Sequence, residues 1–486
     1  MQKIRKPLSI IILDGFGVQN PGKYNAITQA HTPSLTAWKT EHTYTTLDAS
    51  GTAVGLLANQ QGNSEVGHFT IGAGTIVPQT STKLATAFCK NQLEKNPILI
   101  QKLTKHQPKK IHIIGLASAG GVHGHIDHIL AMIEACHHLQ PNARIVVHAI
   151  TDGRDTAPQS CLKELTKIQN LLTKLSCGHI ATVGGRFYAM DRDNNKERVQ
   201  KATDSMMHQE TNIIDPFTYI RQQYASNIFD EFIIPQATHA DHVIDKNSFI
   251  IFCNFRPDRA KQLAQALLED IQPICFITPV LYDENIQTTP LLSPIQQSNT
   301  LLEFLDQQGY KIFTCAETEK FAHVTYFFNG YKNITLEHET RRLVPSIKTD
   351  SYAKFPQMSA PTITQTVLDA LEENIYDIFL VNYANADMVG HTGDLPATIQ
   401  AVECLDEQLS RLYQEIVIKR DGQMIITADH GNAEIMFDQT TAQPCTSHTT
   451  SKVPFYHLSN NIKKDISFMT GLKDVYDYVI KNLRYL

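Results

Sequence analysis

Short runs of β-branched and apolar residues recur along this chain, each parted from the next by a longer amphipathic stretch. That alternation limits the fold more than any other feature. The runs at 8–13 (LSIIIL), 111–116 (IHIIGL), 144–150 (RIVVHAI), 248–253 (SFIIFC), 376–382 (YDIFLVN) and 423–427 (QMIIT) are largely apolar without alternation, as strands buried on both faces require. The stretches at 125–138, 159–175, 193–207, 258–269 and 395–419 have helical length and spacing, and they supply the crossovers that parallel strands need. The pattern predicts an α/β fold with largely parallel sheets covered on both faces. No apolar run approaches the roughly 20 residues of a membrane span. The first run ends in Asp14-Gly15 without a small-residue cleavage pattern, so it reads as a buried strand rather than a signal peptide.

At 486 residues the chain exceeds one ordinary core. Two Pro/Ser/Thr-rich joints, 76–82 (IVPQTST) and 288–294 (TTPLLSP), suggest where it divides. Read as linkers, they make 77–293 a domain inserted into an outer domain of 1–76 plus 294–486. The net charge of −6 argues against nucleic acid or an anionic membrane surface as partner, since either wants a basic excess. Nine scattered cysteines, the closest pair being Cys161 and Cys177, form no C-x-x-C. They argue against a disulfide framework or thiolate metal site, and for a reducing cytoplasm. No heptad pattern occurs, and a monomer is expected.

In α/β sheets functional side chains gather at the carboxyl ends of strands. The run at 8–13 delivers Asp14, and the run at 376–382 leads into NADMVGH, with Asp387 and His391 at i, i+4 on one helix face. The run at 423–427 ends in ADHGN, giving Asp429 and His430, and CTSHTT offers His448. Three Asp and three His suit Mn²⁺, Zn²⁺, Co²⁺ or Fe²⁺ better than calcium. Six ligands exceed what one catalytic ion with an open position uses, so two metals are the economical reading. An Asp after a strand is also a common helix N-cap, and a loop histidine is often only a surface residue. Ser64, in QGNSEVGH at 61–68, stays open in the same way. A dication or a helix N-terminus could make it a nucleophile, whereas Asn63 or Ser64 could merely cap a helix.

A second set lies in ASAGGVHGHI (117–126), TDGRDT (151–156), GGRFYAMDR (184–192) and NFRPDR (254–259). Arg154, Arg186, Arg192, Arg256 and Arg259 follow strand-like runs, several beside glycine. Their planar donor forks match carboxylate and phosphate oxygens, which suggests a small polyanionic substrate. Asp155 and His123 could move protons there, or only orient an arginine.

With both sets in view, the chain resembles cofactor-independent phosphoglycerate mutase, the two-metal form that needs no 2,3-bisphosphoglycerate. The resemblance rests on DGFG 14–17, GNSEVGH 62–68, GVHGHIDH 121–128, TDGRDT 151–156, GGRFYAMDRD 184–193 and NFRPDR 254–259. It continues through AETEKFAHVTYFFNG 316–330, DMVGHTG 387–393, TADHGN 427–432 and SHTTSKVPF 447–455, nearly the whole chain in family order. It implies an alkaline-phosphatase-like three-layer outer domain with an inserted smaller α/β transferase domain. It also implies interconversion of 2- and 3-phosphoglycerate through a phosphoserine at Ser64. By the same resemblance one divalent cation takes Asp387, His391 and His448, and the other takes Asp14, Ser64, Asp429 and His430. Mn²⁺ is the expected ion, with Mg²⁺, Co²⁺ and Zn²⁺ as alternatives. Lys320 would contact the phosphoryl group, and His123, Arg154, Asp155, Arg186, Arg192, Arg256 and Arg259 would hold the glycerate and phosphoester. Ser64, Lys320, Asp155 and Arg259 would be the catalytic groups.

Three segments depart from the family pattern: Gly124 replaces the serine of G-V-H-S-H, LANQQG at 57–62 replaces P-x-G-Q-M-G, and NITLEHETR at 333–341 lacks F-x-G-E-E-R. None removes an assigned ligand. A phosphatase on the same metals would need other anion contacts, and a sulfatase would show C-x-P-x-R at the nucleophile. A non-enzymatic metal-binding protein would leave Ser64 and Lys320 idle. Because a mutase has to keep water from its phosphoserine, the two joints are expected to permit domain closure.

Overall fold

The computed structural model describes residues 4–89, 91–293, 295–460 and 465–483. Two compact units emerge, Met1–Thr82 with Ile295–Leu486, and Lys83–Pro294. Pro294 itself, the last residue of the second joint, lies outside the described residues.

The first unit is built on a seven-stranded sheet in the order Glu339–Val344, Ile312–Glu317, Ile378–Tyr383, Leu8–Leu13, Gln423–Thr427, Val453–Leu458, Thr43–Leu47. Neighbours pair in parallel up to Gln423–Thr427, and the last two pairings are antiparallel. Every residue of Leu8–Leu13 and Ile378–Tyr383 is buried, so both sheet faces are covered. Helices Pro33–Glu41 and Ala360–Glu372 both pack on Leu395–Tyr413, while Leu301–Gln307 and Asp474–Asn482 both pack on Ser64–Ala73. Register decides where the site lies. Ile12 sits opposite both Asn382 and Thr427, so the loops that begin at Asp14, Ala384 and Ala428 leave the sheet at one level.

The second unit has its own seven-stranded sheet, ordered Gln236–Ala237, Gly178–Gly185, Arg144–Thr151, Lys110–Leu116, Phe249–Phe252, Cys275–Thr278, Thr289–Pro290. Only Gln236–Ala237 pairs antiparallel. Leu116 lies opposite Ile150, and Thr151 opposite Gly185, so the arginine-bearing loops leave a common edge.

The expected helices are present as Ile126–Leu139, Cys161–Leu175, Lys196–Met207, Lys261–Asp270 and Leu395–Tyr413, the last widening into a π-helical turn at Gln414–Lys419. The joints are less open than their composition suggests. Helix Thr80–Ala87 begins inside the first, because Leu84 and Phe88, four residues apart, both enter the core of the second unit. Within the second, Thr289–Pro290 pairs with Ile277-Thr278 as an edge strand, a position that tolerates proline.

His112 and His148 are buried in the second sheet, with His112 Nδ1 2.9 Å from His148 Nε2 and His148 Nδ1 3.0 Å from Thr182 Oγ1. Burial, helped by the nearby Lys110 charge, lowers the His112 pKa to about 3, and burial with His112 alongside lowers that of His148. Both are neutral when folded, but they charge below about pH 6.5 once unfolded. Their stabilisation is therefore complete above that pH and drains as pH falls, by up to about 1.4 kcal/mol per pH unit for each histidine. Urea titrations should show a lower unfolding midpoint for the second unit at pH 5.5 than at pH 7.5.

Candidate active site

Ser64 opens the helix Ser64–Ala73, but Asn63 is its cap, accepting from Val66 N at 3.0 Å. The hydroxyl of Ser64 is thus free for other partners. It lies 3.1 Å from Asp14 Oδ1, 3.0 Å from His430 Nε2 and 2.8 Å from Lys320 Nζ. Lys320 follows the strand Ile312–Glu317 in a tight turn and is only 4% exposed. Its ammonium donates to Asp14 Oδ1 at 2.8 Å and Asp387 Oδ2 at 2.6 Å as well as to Ser64. Burial opposes the charge on Lys320, but Asp14 and Asp387 outweigh it and push the pKa up. Burial likewise opposes ionisation of Asp14, and the Lys320 ammonium overrides it and holds the carboxyl well below its usual range.

Asp387 lies on the short helix Asn385–Gly390, and His391 caps it. His391 Nε2 and His448 Nε2 are 3.0 Å apart, each 3.2 Å from Asp387 Oδ1. Asn63, Ser64, Lys320, His323, Asp387, His391 and His448 line a cavity of about 520 Å³. The loop after Asp14 is tightly seated. Gly15 has φ +72° and donates to Asp429 Oδ1 at 3.2 Å, and a Cβ there would fall 2.6 Å from Asp387 Cα.

The donors fit divalent cations on three counts. First, His391 Nδ1 meets Thr446 O at 2.7 Å, His448 Nδ1 meets Gly62 O at 2.9 Å, and His430 Nδ1 meets Gly431 O at 3.2 Å. A carbonyl only accepts, so each Nδ1 carries a proton and each Nε2 faces the site, where it holds either a second proton or, in its place, a metal ion. Second, facing lone pairs on His391 and His448 beside the Asp387 carboxylate repel unless a cation, proton or metal, comes between them. Their environment shows the same demand. The hydrogen bond to Asp387, working against burial, raises the His391 pKa. Burial opposes charge on His430, yet Asp429, Asp387 and Asp14 hold its pKa up to about 10. Third, Asp429 Oδ2 is buried without a hydrogen bond among the described residues. His68 Nδ1 approaches it at 3.1 Å, but that proton is directed to Ser64 O at 2.8 Å.

Two ligand groupings stand out among the described residues, Asp387 with His430 and His448, and Asp14 with His68 and Asp429. His68 carried no assignment from the sequence, although its i, i+4 spacing from Ser64 was a readable signal. Both its nitrogens are committed, Nδ1 to Ser64 O and Nε2 to Asn382 Nδ2 at 2.9 Å, so it braces the site rather than offering a ligand. Asn382, also missed, donates to Asp14 Oδ2 at 3.0 Å. It sits inside an apolar strand run, and a fully buried amide there was its only signal.

In the second unit a cavity of about 190 Å³ is lined by Arg154, Arg186, Arg192, Arg198 and Arg259 together with Asp191, Asp193 and Glu231. Arg186 is buried and donates to Asp152 Oδ1 at 2.7 Å and to Asp155. Asp152 also accepts from Arg154 N and Asp155 N, which shapes the loop that carries both. Burial lowers the Arg259 pKa, and the like charges of Arg192, Arg186 and Arg154 lower it further, a field that favours an anion. His123 and Arg256 are not in this lining; they meet at Asp258, each 3.6 Å from Oδ1. Burial, then the Arg186 charge, lowers the His123 pKa. Arg198, unremarked in the sequence, stacks on Phe187 and donates to Asp191 at 3.0 Å. At Gly124 a Cβ would come 2.9 Å from Asn254 Oδ1, so the missing side chain leaves room that Asn254 uses.

Residues 6–485 match the model of the metalloenzyme superfamily. Over 465 residues the chain is 42% identical to the 2,3-bisphosphoglycerate-independent phosphoglycerate mutase of Acaryochloris marina, spanning 92% of this chain and 86% of that one. It is 39% identical over 476 residues to the protein of the same name from Clostridium novyi, spanning 95% and 93%. The crystal structure of Leishmania mexicana phosphoglycerate mutase at low cobalt concentration superposes with a TM-score of 0.63 at 30% identity, covering 99% of this chain and 96% of that one.

Proposed function

This chain belongs to the 2,3-bisphosphoglycerate-independent phosphoglycerate mutases, and from that premise we propose that it interconverts 2- and 3-phosphoglycerate by passing the phosphoryl group through Ser64. The observation that carries the assignment is the setting of one oxygen: Ser64 Oγ is within 3.1 Å of Asp14, His430 and Lys320 at a helix N-terminus. Divalent cations held by Asp387, His391 and His448, and by Asp14, Ser64, Asp429 and His430, would lower the proton affinity of the Ser64 hydroxyl and neutralise phosphoryl charge.

The chain's own groups do the rest. Lys320 offers its ammonium to the hydroxyl and to phosphoryl oxygens, because Asp14 and Asp387 keep it charged. The first N–H groups of Ser64–Ala73 add partial positive charge at the same point. In the second unit, Arg154, Arg186, Arg192, Arg256 and Arg259 hold carboxylate and phosphate oxygens in pairs. His123, neutral at pH 7, and Asp155 accept and return the proton of the glycerate hydroxyls as the phosphoryl group leaves one and joins the other. No 2,3-bisphosphoglycerate enters the cycle, since Ser64 itself stores the phosphate. Mn²⁺ is the preferred ion, and the nine scattered cysteines without a C-x-x-C favour a reducing cytoplasm for an enzyme that acts as a monomer. No helix of the described residues is long and apolar enough to cross a membrane.

A coupled assay run in both directions tests the reading. Chelation should reduce turnover to background, and Mn²⁺ should restore it better than Mg²⁺. Free phosphate as the main product would instead mark a phosphatase. Arg192→Ala should raise KM for phosphoglycerate about 10- to 100-fold, the loss expected for one charge-assisted contact. An unchanged KM would remove Arg192 from the substrate cradle.

A further inference from the structure

We propose that Glu434 is a positioning residue that sets the divalent-metal affinity of the site by tying its ligand-bearing loops together, an inference that rests on the metal reading above. Glu434 is 2% exposed. Its Oε2 accepts from Gly17 N at 3.1 Å and from Asn432 N at 2.9 Å, and its Oε1 accepts from the hydroxyl of Thr449. Each donor stands beside candidate ligands. Gly17 follows Asp14 in the first loop, Asn432 follows Asp429 and His430, and Thr449 is next to His448.

The tie extends to the fourth loop. Asn432, whose backbone Glu434 fixes, donates from its side-chain Nδ2 to Asp387 Oδ1 at 3.1 Å. Thr449 N also donates to Gly431 O at 3.0 Å, and Ala433 N to Gly15 O at 3.1 Å, so the loops meet around this carboxylate. A Cβ on Gly17 or Gly431 would collide with the Glu434 carboxyl, which explains why both close neighbours are glycine. A buried carboxyl group needs hydrogen-bond donors, and here the donors are supplied by the loops that have to be held.

The consequence is for binding. Ligands from three distant parts of the chain lose freedom when they close on one cation, and loops already locked together lose less. Groups that orient metal ligands in this way typically contribute 10- to 100-fold in affinity. Glu434→Gln keeps the shape but replaces one acceptor with an NH₂ that faces a donor, releasing one loop.

Mn²⁺ titration by calorimetry on the full chain is the test. Glu434→Gln should weaken Mn²⁺ binding about 10- to 100-fold, while KM for phosphoglycerate at saturating Mn²⁺ stays within about twofold. An Mn²⁺ affinity within about twofold of the unaltered protein overturns the proposal. Should that variant fail to fold, Thr449→Val decides: binding weakened at least about threefold supports the tie, and unchanged binding overturns it. If the unaltered protein takes up no Mn²⁺, the metal reading and this inference fall together. If it binds and both variants bind equally well, only the role of Glu434 falls.

Discussion

Ser64→Ala should lower turnover in both directions by about four orders of magnitude or more, because no other group stores the phosphate between the two hydroxyls. The loss should not come from unfolding. Asn63, not Ser64, caps the helix, and the fold around position 64 gains only a small void in place of the oxygen. Circular dichroism should therefore stay close to that of the unaltered protein, while Mn²⁺ binding at the second site should weaken because that cation loses one expected ligand. Mass spectrometry after an acid quench during turnover should find phosphoserine at Ser64 in the unaltered chain and none in the variant. Substantial activity in Ser64→Ala would end the nucleophile assignment.

Lys320→Met should have two separable effects. Turnover should fall by about three orders of magnitude, the scale seen when a preorganised charge on the transition state is removed. The protein stripped of metal should also lose stability, by about 3–5 kcal/mol, because Asp14 and Asp387 would be left buried without their shared ammonium. Proton uptake by those carboxyls relieves part of that loss, more so at low pH. Mn²⁺ should shrink the stability difference, since a dication replaces the missing charge. Urea titrations with chelator and with Mn²⁺ measure both limbs. An equal loss under the two conditions would mean that the ammonium does not balance these carboxylates.

Parts of the site were legible because their signals are local. Asp387 and His391 share a helix face through i, i+4 spacing, and Asp14 and Asp429 stand just past apolar runs that end at one sheet edge. Strands of mixed or glycine-rich composition lack a continuous apolar run to mark them, among them Thr43–Leu47 (TYTTL), Gly178–Gly185 (GHIATVGG) and Ile312–Glu317 (IFTCAE). Thr, Tyr, Ile, Phe and Val favour strands, but these segments are short, mixed with polar residues or broken by glycine, and pairing with established neighbours makes them strands. Glu434 and Asn382 escaped notice for a related reason: a carboxylate or amide in a sequence looks like surface until its donors are known.

Residue order alone determined the alternating α/β plan and the places where chemistry could gather, because burial periodicity and strand ends depend on neighbours along the chain. Whether Ser64 caps a helix or faces a reaction was decided only in three dimensions. Its hydroxyl partners lie 50, 256 and 366 residues away, at Asp14, Lys320 and His430. Contacts over such separations follow from strand register and packing between layers, which no short stretch of sequence encodes.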